Sequence, residues 1–183
     1  MSDKNLETSQ NHEDILRKFD KESDYRILTG FSAKIVAAIA IAFSIFHLYT
    51  AVVGVLDAMI QRSIHLSFGL CLIFLLYPAR KEWPRNKMHP VDAIFAILGA
   101  AAPMYIIVFY QELVLRAGTV TTMDYIVGLI AIILVIEAAR RVVGWPIITI
   151  AFLFILYALL GRHIPGQLAH RGIALPSLVG HLF

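Results

Sequence analysis

Five apolar stretches fill most of the chain after residue 30, and any fold open to it must bury them: residues 35–56, 63–77, 91–110, 125–139 and 146–160. A bilayer-spanning helix needs about 20 apolar residues, range about 17–25. The first and third stretches reach that length unaided, and the others need their flanks. The fourth and fifth, about 15 residues each, would rise only about 22 Å at 1.5 Å per residue, against a hydrocarbon core about 30 Å thick. Lipid offers backbone groups no partners and strand-type alternation is missing, so the stretches read as helices and not as barrel strands. The expected fold class is an all-α integral membrane protein with four to five transmembrane helices.

The 183 residues are 58% apolar with a mean hydropathy of +0.72. That leaves room for one membrane domain: a polar cytoplasmic tail over residues 1–30, a helical membrane domain over 31–162 and a periplasmic or interfacial segment over 163–183. Ile15, Leu16 and Phe19 in the tail have loosely helical spacing, compatible with a short amphipathic helix or a frayed end. The chain is basic, with 16 Lys and Arg against 13 Asp and Glu. Those bases sit at the ends of apolar runs, where they orient helices and snorkel, so no nucleic-acid partner is expected. Placing the gaps before the first run, after the second and after the fourth on one side collects eleven basic residues, or twelve with Lys4, against Arg62, Arg116, Arg162 and Arg171 on the other. By the positive-inside rule the N-terminus is cytoplasmic. No cleavable signal peptide is expected, since the first 30 residues are polar and the first apolar run is too long for a signal core. The lone Cys71 lies inside an apolar run and can form no disulfide within the chain.

Several local features follow from spacing. Residues 57–62 form a short connection, so the first two helices make a hairpin. Trp83 lies among basic residues as an interfacial anchor, and Asp92 stands at a helix start. Gly99 and Pro103 predict a kink in the third helix, and Gly99, Ala100, Ala101 and Ala102 would let another helix approach closely. Gly144, Trp145 and Pro146 break the fourth run from the fifth. Turn residues after Leu160 precede what reads as the start of an interfacial helix.

Three clusters are candidate packing sites. Gln61, Arg62 and His65 gather with Ser63 at the outer start of the second run, where polar groups need partners. Glu112 and Arg116 stand four apart, at the spacing that pairs charges on one helical face. Glu137, Arg140 and Arg141 have i, i+3 and i+4 spacing near the inner interface, with Trp145 beyond. No catalytic, cofactor or metal site is expected: phosphate-cradling, zinc-protease and nucleophile-elbow patterns are missing, and the carboxylates lie near span ends. His47 and His65 could hold a haem between helices, but counting from the outer ends puts them about 6–9 Å apart in depth, so a hydrogen-bonded interior histidine is favoured.

The segments Gln61-Arg62-Ser63-Ile64-His65-Leu66 with the run that follows it to Tyr77-Pro78, Glu112-Leu113-Val114-Leu115-Arg116-Ala117-Gly118, Glu137-Ala138-Ala139-Arg140-Arg141-Val142-Val143-Gly144-Trp145 and Leu168-Ala169-His170-Arg171-Gly172 stand in this order. Together they resemble the N-terminal region of fused permeases of TRAP (tripartite ATP-independent periplasmic) transporters, TAXI subclass, over about residues 57–183. The resemblance implies a bacterial inner-membrane, ion-gradient-driven transporter in which a periplasmic solute-binding protein delivers solute to a large permease subunit. This chain would be the small, non-enzymatic scaffold. The fused proteins continue beyond the position of Phe183, so a separately encoded large subunit or a truncated gene is expected. The alternatives are a small b-type haem redox protein and an autonomous small oligomeric transporter.

Overall fold

The computed structural model describes residues 25–80, 82–116 and 119–182; the amphipathic helix considered for the tail falls largely outside them. Five helices are long and apolar enough to cross a membrane, which marks a multi-pass helical membrane protein. They are α1 (Gly30–Val53), α2 (Ala58–Leu76), α3 (Pro90–Val108), α5 (Thr122–Val142) and α6 (Trp145–Leu160), the last extended by a 3-10 turn to His163. A short α4 (Tyr110–Leu115) follows α3, and α7 (Leu175–Leu182) ends the described chain.

The fourth and fifth runs thus both reach spanning length, because polar flanks join the helices. Thr122, Met123 and Asp124 extend α5 at its start and Arg140 and Arg141 at its end. The hairpin connection is also shorter than the spacing suggests. Helix α2 begins at Ala58, leaving residues 54–57 as the link, with the Asp57 side chain accepting from the Met59 amide as N-cap. That amide, with the Tyr110 phenol beside it, holds the Asp57 carboxyl below its ordinary value. Between α5 and α6 the expected break is a glycine turn: Gly144 has φ 96°, and Ala139 O accepts from the amides of both Val143 and Gly144.

Helices α2, α3 and α5 form the core, where Leu70, Phe74 and Leu75 meet Ala96, Ala102, Ala131, Leu134 and Ala138. Small residues on α3 and α5 face large ones on α2. At Gly99 an added Cβ would stand 3.0 Å from Leu70 Cβ and from the Phe74 ring. The small-residue stretch therefore serves contact within this chain. A Gly99→Val substitution is expected to cost about 1–3 kcal/mol by overpacking, read as a loss of thermal stability in detergent. Helix α3 is continuous through Pro103, whose missing N–H leaves Gly99 O without its ladder donor, and the Ser67 hydroxyl of α2 donates to the neighbouring Ala100 carbonyl.

Helices α1 and α6 lie at the edge and leave most of their apolar surface open. After α6 the chain turns back on itself and α7 returns to α5, with Leu178 and Val179 buried. The helix that reads in the sequence as interfacial packs against α5.

Candidate functional site

Alternation of the five helices gives the bundle two polar ends. One gathers the start of α1, the end of α2, the start of α3 and the end of α5. There Asp92, with 0% of its surface exposed, accepts from two arginines: Arg26, from the segment before α1, and Arg141 Nη1 at 2.6 Å. Arg141 Nε also donates to Glu137 at 2.9 Å, and Glu137 takes a second, bidentate pair from Arg140 at 2.7 and 2.8 Å. The Arg141 guanidinium lies 4.8 Å from the Phe74 ring centroid and 5.1 Å from that of Phe95.

The local reason for three arginines at this point is the end of α2. Its last turn carries no basic residue, so its final carbonyls need donors from elsewhere. Arg26 Nη1 reaches Leu75 O at 3.3 Å, the Arg26 amide reaches Leu76 O at 2.8 Å, Arg141 Nη1 reaches Tyr77 O at 3.0 Å and Arg140 Nη2 reaches Ala79 O at 3.1 Å. Beside them Trp83 stacks on His89, the N-cap of α3.

The expected grouping of Glu137, Arg140 and Arg141 is present, yet two members of the network escaped the sequence reading. Asp92 is a charge acceptor inside the bundle, beyond its place in a helix's first turn. Arg26, which spacing assigns to a polar tail, is 2% exposed and belongs to the bundle. An acidic residue in the first turn of an apolar run was the available signal, since such a group needs a partner. Trp145 takes no part in the network: it begins α6 and is 63% exposed.

At the opposite end the expected Glu112–Arg116 pair is replaced. Helix α4 ends at Leu115, so Arg116 (φ −110°, ψ 28°) lies beyond the helical register that would pair the two side chains. Its guanidinium turns to Asp124, with contacts of 2.8 and 3.0 Å. Asp124 also accepts from the Tyr105 hydroxyl at 2.7 Å and from the Thr121 amide and hydroxyl at 2.9 and 2.6 Å. Thr121 and Asp124 form a capping box at the start of α5, a pattern readable as Thr-x-x-Asp before an apolar run. Asp124→Asn is expected to cost about 1.5–3 kcal/mol by weakening charge-assisted bonds, measured as a fall in unfolding midpoint. A cleft of about 600 Å³ beside this node is lined by Arg116, Thr119 and Val120 together with Ser177, Gly180 and His181 of α7.

Gln61, Arg62 and His65 do converge, on a cavity of about 650 Å³ that also receives His47, Val55 and Leu56. His47 Nε2 and His65 Nδ1 are 2.9 Å apart. The depth difference expected from the sequence disappears because α2 starts at Ala58: His47 lies six residues before the end of α1 and His65 seven after the start of α2, about 9 and 10 Å deep. Level depth removes that objection to a haem, but contact raises another. Two metal–imidazole bonds of about 2.0 Å each would need about 4 Å between nitrogens, with a porphyrin lying between the rings. Here each imidazole occupies the coordinating position of the other. Among the described residues no three His, Cys, Asp or Glu side chains converge to hold a metal ion.

Comparison with known proteins returned nothing: no family model, no curated protein and no solved structure matches this chain.

Proposed function

We propose that the chain is the small, non-catalytic membrane subunit of a TAXI-type TRAP transporter, a scaffold that holds a large permease subunit in a bacterial inner membrane. The observation that carries this reading is the order and spacing of the four motifs over residues 57–183. Their positions in the fold are compatible with a scaffold: the Arg140–Arg141 motif ties α5 to the end of α2, and the Arg116 motif ties α4 to α5. Asp92, Asp124 and Glu137 are each held by arginine, and so are committed to the frame. The end rich in basic residues, with Arg26, Arg80, Arg140 and Arg141, faces the cytoplasm on this reading, and the α7 end faces the periplasm, where a solute-binding protein docks.

Trp145 is the position best suited to a test. It is exposed, it starts an edge helix, and its loss leaves the ionic frame intact. In a complex reconstituted with the large subunit, Trp145→Ala is expected to weaken association about tenfold or more while the isolated chain keeps its unfolding midpoint. Equal association of variant and wild type would remove Trp145 from the interface. Proteoliposomes holding this chain alone are expected to show no solute uptake, and uptake by the chain alone would overturn the scaffold reading.

A further inference from the structure

The histidine pair sits about 9–10 Å inside the helix ends, at a depth where a polar side chain in lipid needs a partner and often marks a functional site. The 2.9 Å separation places one hydrogen between His47 Nε2 and His65 Nδ1, with one ring giving it and the other receiving it. Two neutral imidazoles have four nitrogens and two hydrogens. One hydrogen lies in the shared bond. The other rests on one of the two outward nitrogens, His47 Nδ1 or His65 Nε2, and the remaining outward nitrogen keeps a lone pair. That lone pair can accept a proton with the shared bond intact. A further proton would have to take the lone pair that receives the bond, and so would break it.

We propose that His47 and His65 form a single proton-binding site, which takes up one proton per pair from the cavity beside them. Aromatic rings pack around the pair. The Phe43 ring lies 4.7 Å from His47 and 5.1 Å from His65, Phe46 lies 5.3 Å from His47, and Phe68 stacks on Phe43. The cavity wall carries one formal charge, Arg62, one turn from His65 on α2, with Gln61 next to it. Arg62 opposes positive charge on the pair, the first as well as a second, so the limit of one proton rests on the shared bond. Helix α2 itself carries no acid, and Asp57 at its N-cap is engaged with the Met59 amide and the Tyr110 phenol. On α1, Thr50 donates to the His47 carbonyl and adds no charge. A proton accepted on the outward nitrogen of one ring can leave from that of the other once the shared hydrogen shifts across, so the site also links α1 to α2 as a two-ring relay. This inference is independent of the subunit reading.

The test is nitrogen NMR of the full chain with ¹⁵N-labelled histidine in lipid nanodiscs, scanned from about pH 5 to 8, where histidine charge changes are read. The expected result is through-bond coupling between the two facing nitrogens and a single shared transition amounting to one proton per pair, with that transition lost at His47 in His65→Gln. Two independent one-proton transitions, or no uptake across the scan, would overturn the proposal. Coupling and stoichiometry in the wild-type chain decide the matter whether or not the variant inserts, and His47→Gln provides the reciprocal check.

Discussion

Asp92→Ala is expected to produce the largest single loss of stability in the bundle, about 3–5 kcal/mol, because it removes the carboxylate that pairs buried Arg26 and one of the two that pair buried Arg141. The Arg26 and Arg141 side chains are both fully buried, and both pair with this carboxylate. Without it the guanidinium groups face each other across the space it filled. The measurement is denaturation in detergent micelles, with Arg140→Ala for comparison. Arg140 is partly exposed, and Glu137 keeps Arg141 when it is lost, so that change is expected to cost about 1 kcal/mol or less. A double variant, Asp92→Leu with Arg26→Met, is expected to recover part of the loss, since removing both partners of a buried pair is milder than removing one. Similar costs for Asp92→Ala and Arg140→Ala would mean that the buried network does not hold the helices together.

The second large effect is expected at Gly161, where the backbone needs no special φ but the space is already filled. A Cβ there would overlap the His170 ring. That ring is held on two sides: Gly172 N–H donates to Nδ1 at 3.1 Å, so Nε2 carries the hydrogen and donates to Tyr157 O at 3.0 Å. The His170 amide closes the turn on Gly161 O at 3.1 Å. Gly161→Ala is expected to eject the imidazole, break both of its bonds and cost about 2–3 kcal/mol. Limited proteolysis should show the return after α6 opening first. The double variant Gly161→Ala with His170→Ala is expected to be no worse than His170→Ala alone, because the clash vanishes with the ring. Additive costs would rule out this contact as the cause.

The helical membrane class and the positions of the spans were legible because lipid imposes one rule everywhere: long apolar runs become helices. Span ends were less legible. Gln61 and Arg62 after Asp57, and Thr122 and Asp124, make residues 58–62 and 122–124 look like connections, yet caps at Asp57 and Thr121 draw them into helices. The errors at the sites descend from those ends. A start at Ala58 brings His65 level with His47, and a stop at Leu115 frees Arg116 to reach Asp124. The spacing of Glu137, Arg140 and Arg141 was sufficient because all three lie within one helix. Arg26 and Asp92 were not, because they are 66 residues apart in the chain and are joined only by tertiary packing.

The central claim is that this chain works as one part of a larger permease. The most direct test is affinity purification of the tagged chain from its native membranes in mild detergent, followed by identification of whatever co-purifies. The account predicts a large multi-spanning membrane protein in stoichiometric amount. The chain recovered alone, from membranes that contain such a protein, would contradict it.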